Sequence, residues 1–251
     1  MAGPAPYREF TYPLNVFMHI LTREEGAASY LHYGIFESPD DSLAIAQERS
    51  TELLLSRLPP PPARILDAGL GLGTTLDRLT QLGYRAEGIT PDAAQIEAAR
   101  SRFGEALPLR CCRFEEMEGG PYDVVLFQES SQYIDSNALF RHASDLTRRV
   151  VVLDEFASRP LGEAGSLHDL PGFLQAASSA TFRLQEELDL STQAAPTMEY
   201  FRQRIPRFRE ELIRDLGVTA AQIDELVTSG ETYRDRYADG TYLYRLLTFE
   251  R

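Results

Sequence analysis

A run of alternating glycines that follows an acidic residue carries the clearest chemical signal in this sequence. Residues 64–68 read as a short buried strand that ends just after Asp67. Glycines then occupy every second position, at Gly69, Gly71 and Gly73. Glycine lets a backbone turn tightly and approach a ligand closely, and the N-terminus of the following helix can bind a polar group. A dinucleotide fingerprint would need a glycine at Thr74. The segment therefore predicts a ligand site, and the spacing does not favour a dinucleotide.

The spacing D-x-G-x-G-x-G resembles the first motif of class I S-adenosylmethionine-dependent methyltransferases. Such enzymes usually carry an acid for the ribose hydroxyls at the end of the second strand, and Thr90 occupies that position here. The pattern G-I-T-x-x-x-x-Q, residues 88–95, is similar to the branch of cyclopropane-fatty-acid synthases and tocopherol-type methyltransferases. In that branch the threonine and the glutamine contact the ribose, which implies Thr90 and Gln95. Thr90 could also be a plain helix cap before Pro91, and Gln95 a solvated helix residue.

Two further segments match the same branch. An aromatic residue and an acid flank the adenine there, which implies Phe114 and Glu115, although an acid in a loop is often only solvated. An H-Y-G element closes over the methionine end, which implies Tyr33, with core packing as the alternative. The resemblance thus implies S-adenosylmethionine as the cofactor. Its implied contacts are Tyr33, Asp67, Gly69, Gly71, Gly73, Thr90, Gln95, Phe114, Glu115 and Gln128.

The residues after the fourth strand are candidates for catalysis. Glu129-Ser130 matches the E-S pair of tocopherol-type and terpenoid C-methyltransferases. Gln132 and Tyr133 stand where cyclopropane synthases have a Glu-His pair, and this difference argues against cyclopropanation as the activity.

Methyl transfer needs an acceptor held in line with the methyl group, and it needs a base only if the acceptor loses a proton. Candidates for that base are Glu129, Tyr133, Asp154, Glu155 and His168. Open α/β sheets bind ligands at the carboxyl ends of their strands, and this favours every candidate except His168. Glu129 ranks first, with a structural role as its alternative, and Tyr133 is the second residue that we assign to catalysis.

The hydrophobic pattern predicts the elements that position these residues. Strands are predicted at 64–68, 85–89, 109–113, 123–127, 149–153, 182–190 and 242–249, and helices at 42–58, 74–82 and from about 91 to 103. Strand and helix alternate, which predicts an α/β fold with a mostly parallel sheet. The resemblance implies a Rossmann-like sheet of seven strands with helices on both faces and an antiparallel last strand.

The pattern also predicts a division of the chain. We expect an N-terminal helical cap region over residues 1–58, a cofactor-binding core over 59–195, a helical lid over 196–240 and a closing strand over 241–251. Gly217 and Gly230 are predicted to break the lid helices. Aromatic residues and arginines in the lid fit either a core with a solvated face or a pocket that meets an anionic group.

Composition excludes several other functions. The chain has 251 residues and a net charge of −13, which argues against nucleic acid and anionic membranes as partners. It has no lysine, so Schiff-base chemistry, pyridoxal attachment and the Walker loop are excluded. The adjacent Cys111 and Cys112 supply neither a disulfide framework nor metal-ligand spacing. The first residues do not resemble a signal peptide, and no stretch is apolar enough to span a membrane. We therefore expect a cytoplasmic protein without a metal.

The resemblance implies an enzyme that transfers a methyl group from S-adenosylmethionine to O, N or C of a small molecule, such as a secondary metabolite. Two alternatives stay open. The protein could bind the same cofactor and catalyse a cyclisation or decarboxylation, or it could be a non-catalytic nucleotide-binding module.

Overall fold

A computed structural model describes residues 7–162 and 167–251. The chain divides into two compact units. The first unit comprises Met1–Arg49 and Thr192–Gly240, and the second comprises Ser50–Ser191 and Thr241–Arg251. The segments predicted as cap and lid therefore fall mainly into one unit, and the first break comes at residue 49 rather than 58. Their roles as cap and lid stay predictions.

The second unit contains a seven-stranded sheet. Its strands are β1 Arg64–Ala68, β2 Arg85–Thr90, β3 Leu109–Cys111, β4 Val124–Gln128, β5 Arg149–Ala157, β6 Arg183–Asp189 and β7 Tyr242–Glu250. Their order is β3-β2-β1-β4-β5-β7-β6. Strands β1 to β5 pair in parallel, and β7 is antiparallel to both β5 and β6. The predicted α/β class with a mostly parallel Rossmann-like sheet and an antiparallel last strand is confirmed.

The strand order reverses between β1 and β4. Open sheets of this kind bind ligands beyond the carboxyl ends of the strands at such a reversal. Asp67 pairs with Leu126 across it, so the end of β1 lies beside the end of β4. The glycine turn and Glu129 thus follow neighbouring strands.

The helices connect these strands and build the first unit. In chain order they are α1 Leu14–Glu25, α2 Leu43–Leu55, α3 Thr74–Gln81, α4 Ala93–Phe103, α5 Ser136–Leu146, α6 Leu170–Ser179, α7 Ser191–Ala194, α8 Pro196–Arg204, α9 Arg209–Glu211 and α10 Ala220–Ala238. Short 3-10 turns cover Phe114–Glu116, Ser131–Tyr133 and Ile205–Phe208, and a π-helical turn covers Leu212–Leu216. None of the helices within 7–162 and 167–251 has both the length and the apolar character to cross a bilayer.

The core of the second unit covers β4 and β5, whose residues are almost all buried. All five residues of β4 are buried, as a parallel strand covered on both faces requires. Phe140 of α5 packs edge-on against Phe173 and Phe249, with ring centroids 4.9 and 5.2 Å away. This packing fixes the positions of the strand ends. The predicted helical face at 76–82 is shorter than expected, because Leu82 is 52% exposed beyond the last turn of α3.

The first unit corrects one predicted break. Gly217 does end a helical segment, in the left-handed conformation that favours glycine. Gly230 does not, because it lies inside α10 and is buried there. A Cβ at that position would lie 3.0 Å from Cβ of Arg202 on α8, so this glycine serves close helix packing.

Candidate functional site

Asp67, the last residue but one of β1, is a buried acid with an unfilled hydrogen-bonding position. Its side chain is 2% exposed, and burial raises its pKa to about 7. One of its carboxylate oxygens has no hydrogen-bond partner within the described residues. An unpaired buried carboxylate is costly, so this position favours a ligand that brings a positive charge or a hydrogen-bond donor.

The three glycines after Asp67 all adopt left-handed backbone angles. The φ angles of Gly69, Gly71 and Gly73 are +93°, +55° and +80°. A Cβ at Gly69 would lie 2.2 Å from Cβ of Ser130, and one at Gly73 would lie 2.8 Å from Cβ of Ala99. Gly69 and Gly73 are therefore required by the packing of the chain itself, in addition to any ligand that the turn would admit.

The two residues predicted to contact a ribose lie together. The hydroxyl of Thr90, at the end of β2, donates to the side-chain oxygen of Gln95 in α4 over 2.9 Å. The alternative in which Thr90 caps α4 is wrong. Asp92 is the cap, and its carboxylate accepts from the backbone N–H groups of Ala94 and Gln95. Thr90 instead accepts from the N–H of Asp92, so its hydroxyl both donates and accepts at the strand end.

The two residues predicted to contact an adenine differ in exposure, since Phe114 is buried and Glu115 is exposed. Phe114 is 4% exposed, and its ring packs edge-on against Phe127 and His142. The ring is therefore held by core contacts, and its predicted place beside an adenine stays a prediction. Glu115 is exposed in the same 3-10 turn. The neighbouring Glu116 is used locally, since its carboxylate accepts from the N–H of Arg113.

Gln128 ends β4 and lies inside the protein. Its side-chain oxygen accepts from the hydroxyl of Thr75 over 3.0 Å, and its nitrogen donates to the hydroxyl of Thr51 over 3.3 Å. Both ends of the amide are therefore engaged by the protein. Gln128 holds the start of α3 against β4, and a direct contact with a cofactor stays a prediction.

Tyr33 belongs to the first unit. The backbone around it is fixed, because the side-chain nitrogen of Gln47 donates to the carbonyl of His32 over 2.6 Å and the N–H of Gly34 donates to Thr197 over 3.0 Å. Burial lowers the pKa of His32 to about 4, so its imidazole is neutral near pH 7. The predicted role of Tyr33 stays a prediction.

Glu129, the first candidate for a base, is held in a strained and well-defined position. Its φ is +53°, which is uncommon for a residue with a side chain and frequent at functional sites. The hydroxyl of Tyr244 donates to its carboxylate over 2.6 Å. Tyr244 lies in β7 and is fully buried, and burial followed by the charge of Glu129 raises the pKa of its hydroxyl well above the usual value.

Tyr244 is a site residue that the sequence did not indicate. It reaches Glu129 because β7 runs antiparallel beside β5, with Tyr244 opposite Glu155. Alternation along β7 places Tyr244 on one face with Tyr242 and Leu246, but no pattern in the sequence gives the register of β7 on β5.

Asp154 braces the turn after Glu129. Its carboxylate accepts from the backbone N–H of Ser131 over 2.9 Å and from the hydroxyl of Ser131 over 2.6 Å. Burial is the main influence on Asp154 and raises its pKa. His168, which ranked below the strand-end residues, lies beside the same turn, with Nε2 3.1 Å from the carbonyl oxygen of Ser131.

These residue types do not form a hydrolytic triad. Ser131 is fully buried and its hydroxyl donates to Asp154, while His168 contacts the carbonyl of Ser131 rather than the hydroxyl. His168 is therefore not placed to activate Ser131 as the histidine of a triad would. The cluster fixes a turn.

Tyr133, the second catalytic candidate, ends that turn. Its side chain is 81% exposed. The surrounding protein displaces part of its water shell, and this raises the pKa of its hydroxyl together with the charges of Asp154, Glu129 and Glu155. Glu155 is buried beside Asp154 in β5. The structure thus brings the four strand-end candidates for a base around one turn, and His168 contacts the same turn at the carbonyl of Ser131.

The five arginines between residues 202 and 214 are each paired with an acid. Arg202 pairs with Glu199, Arg204 and Arg207 with Glu24, Arg209 with Asp224, and Arg214 with Asp215. The aromatic side chains nearby are core, since Phe201 is 6% exposed and packs on Phe17 at 4.6 Å between centroids. These contacts favour the interpretation of a core with a solvated face over an arginine reserved for an anionic substrate.

Comparison with known proteins identifies the segment that carries these strand ends. Residues 66–150 match the family model described as a methyltransferase domain. An O-methyltransferase of Pyrenophora dematioidea is 39% identical over 85 residues, which is 32% of this chain and 32% of that enzyme. The chain matches about a third of the length of each curated relative. The resemblance to methyltransferases is confirmed for this segment.

Solved structures extend the likeness of fold to the whole chain. The [4+2]-cyclase SpnF has a TM-score of 0.79 and 19% identity, with 100% of this chain and 99% of that chain covered. A geranyl diphosphate C-methyltransferase from Streptomyces coelicolor A3(2) has a TM-score of 0.69 and 21% identity, with 99% and 100% covered. One neighbour is named a cyclase and the other a methyltransferase, so the fold by itself does not choose the reaction.

Proposed function

We propose that the protein transfers a methyl group from S-adenosylmethionine to a small-molecule acceptor, a proposal supported by the match of residues 66–150 to a methyltransferase domain. When bound, this cofactor supplies a methyl group activated by a sulfonium. The chain's own residues would bind the cofactor, orient the acceptor and take up a proton.

The unpartnered oxygen of Asp67 is the observation that carries the proposal. S-adenosylmethionine has an ammonium group, a ribose with two hydroxyls and an adenine. A buried carboxylate with an unpaired oxygen fits an ammonium, or a donor bonded to it, because a charge-assisted hydrogen bond would repay its desolvation. The residues present therefore fit the cofactor.

Polar groups at the neighbouring strand end supply the remaining contacts. Thr90 and Gln95, already bonded to each other, would share the ribose hydroxyls. Glu115 would accept from the adenine amine, and Phe114 would line the wall rather than stack. Gly69, Gly71 and Gly73 would let the backbone approach, and Tyr33 and Gln128 complete the contacts that we propose.

Glu129 would act on the acceptor. The hydroxyl of Tyr244 fixes one carboxylate oxygen over 2.6 Å. The carboxylate could then accept a proton from an acceptor hydroxyl, ammonium or activated carbon as the methyl group is transferred. Tyr133 lies near enough to feel the charge of Glu129, and we assign it to orienting the acceptor.

The chemical class of the acceptor and the atom that is methylated are part of the proposal. We propose a small molecule of the secondary-metabolite type that is methylated at O, N or C in the cytoplasm. The match to O-methyltransferases supports methyl transfer, although it covers only about a third of each enzyme. The free Cys111 and Cys112 fit a reducing compartment.

Titration calorimetry of the purified protein tests the cofactor. S-adenosylmethionine and S-adenosylhomocysteine should bind and NAD should not. Gly71→Val should lose binding, since a β-branched residue is strongly disfavoured at a φ of +55°; circular dichroism would show whether it folds. Tight binding of NAD, or no binding of either sulfur compound to the parent protein, would overturn the proposal.

A metabolite screen with bound cofactor tests the reaction. Methyl transfer predicts a product heavier by one methylene group together with an equal amount of S-adenosylhomocysteine. A product of unchanged mass would indicate a cyclase, and loss of carbon dioxide would indicate a decarboxylase.

A further inference from the structure

Three side chains of the first unit, none of which is assigned to methyl transfer, converge. His19 lies in α1, Glu211 ends α9, and Asp215 lies in the π-helical turn Leu212–Leu216. One ligand atom from each lies within 4.8 Å of the other two. We propose that His19, Glu211 and Asp215 bind a divalent transition-metal ion of the zinc or cobalt type.

The buried imidazole is the observation that points to a ligand. His19 is 5% exposed, and within the described part of the chain its Nε2 has no hydrogen-bond partner. Its nearest acidic atom, Oε2 of Glu211, is 3.4 Å away and also lacks a hydrogen bond among those residues. Unsatisfied buried polar atoms that face each other are costly. A cation bound to both would satisfy each of them.

The backbone supports this convergence. Leu212 and Leu216 of the π-helical turn are buried. Their burial fixes Glu211, which precedes the turn, and Asp215, which lies within it. Wider turns of this kind are rare and frequently occur at functional sites. On α1, Met18 and Ile20 are fully buried on either side of His19, so its position is set by the core.

The donor set selects the class of metal. One neutral imidazole and two carboxylates suit zinc, cobalt, nickel or manganese, and water would fill the remaining positions. A calcium or magnesium site would favour oxygen ligands only.

Two arginines compete with a bound cation. A guanidinium nitrogen of Arg23 lies 3.0 Å from Oε2 of Glu211, and Nε of Arg214 lies 2.7 Å from Asp215. Arg23 is 49% exposed and Arg214 is 64% exposed, so both can move into water. The arrangement without metal is an ion-pair cluster, and metal binding would replace the contact of Arg23.

Calorimetric titration of metal-free full-length protein with Zn²⁺, and the visible absorption of the Co²⁺ form, test the proposal. We expect one ion per chain. His19→Gln and Glu211→Gln should each weaken binding by about ten-fold or more. Arg23→Gln should tighten binding, since it removes a competing charge. Asp224→Asn is the matched control: Asp224 is an exposed acid paired with Arg209 in the same unit, and its change should leave binding unaltered.

Arg23→Gln separates the metal site from a plain ion-pair cluster. If the cluster only pairs charges, this change lowers thermal stability and leaves zinc binding as in the parent protein, which overturns the proposal. Absence of stoichiometric binding, or equal binding by the His19→Gln and Asp224→Asn proteins, also overturns it. Because Arg23 is half-exposed, this test holds even if His19→Gln fails to fold.

Discussion

Two groups of polar residues lie at the carboxyl ends of the same sheet, and they differ in how far the protein satisfies them. At the ends of β1 and β2, Asp67 has an oxygen without a partner among the described residues. At the ends of β4 and β5, Glu129 and Asp154 each accept hydrogen bonds from hydroxyls of the protein. The first group is suited to take its partner from a ligand, whereas the second is already fixed.

The difference follows from which elements surround each group. The glycine turn after β1 contributes only the apolar side chains of Leu70 and Leu72, so the turn brings no side-chain donor to Asp67. The ends of β4 and β5 are flanked by β7 and by the turn Ser131–Tyr133, and these supply hydroxyl and N–H donors. We therefore expect changes in the first group to alter cofactor affinity and changes in the second to alter turnover.

Glu129→Gln should give the largest effect. The amide keeps the size of the side chain but cannot take up a proton, so turnover should fall by about 100-fold or more while cofactor affinity stays the same. Rapid-quench kinetics with the acceptor found in the screen would measure it. Glu87→Gln is the matched control, because Glu87 also accepts from a tyrosine, Tyr122. A mild loss in the Glu129 variant would mean that the enzyme acts by positioning alone.

Tyr244→Phe should give a smaller loss in the same group. It removes the hydroxyl that holds Glu129 and keeps the ring in the core, so turnover should fall by about ten-fold, the equivalent of one hydrogen bond to a charged group. The Michaelis constant for the cofactor should not change. Tyr122→Phe, which breaks the comparable bond to Glu87, should leave turnover intact. Equal effects of both changes would indicate that Tyr244 contributes stability only.

Asp67 should make cofactor affinity depend on pH. Its pKa is raised to about 7 by burial, and its charged form would bind the ammonium. Affinity for S-adenosylmethionine should therefore rise by about ten-fold between pH 6 and pH 8, as the carboxylate ionises. Calorimetry across this range would measure the rise, and Asp67→Asn should abolish it, whereas Asp145→Asn, at an exposed position, should not.

The stability of the free protein should respond to Asp67 in the opposite direction. The pKa is higher in the folded state than in the unfolded state, whose value is near 3.8. This group's contribution to stability is therefore fully present below pH 3.8 and is lost as the pH rises to about 7. Urea denaturation at several pH values should show that decline in the parent protein and not in Asp67→Asn. An identical pH profile for both proteins would contradict the assignment.

Gln95→Ala should have the smallest effect of the series. It removes one hydrogen bond to the ribose and the bond from Thr90, so cofactor affinity should fall by about 1 kcal/mol, or several-fold, without loss of folding. Gln81→Ala, at an exposed position in α3, is the control. Unchanged affinity in the Gln95 variant would mean that the branch suggested by the pattern at residues 88–95 is wrong.

The sequence was sufficient for the parts of the molecule whose physics is local. A strand followed by glycines at alternate positions determines a left-handed turn, and the φ angles of Gly69, Gly71 and Gly73 agree with it. The alternation of strands and helices determined the parallel sheet, because such connections have few topologies open to them. The resemblance of residues 64–73 and 88–95 to known motifs pointed to Asp67 and to the Thr90–Gln95 pair.

Other features depended on contacts between distant segments, which only the tertiary structure decided. Phe114 is in the core because Phe127 and His142 surround it, and a motif position does not show that. Tyr244 reaches Glu129 across 115 positions of sequence because β7 pairs antiparallel with β5 in one register. His19 meets Glu211 because α1 packs beside the π-helical turn. Local patterns fix backbone conformation, whereas the partners of a buried charge are set by register and packing, which no short stretch of sequence contains.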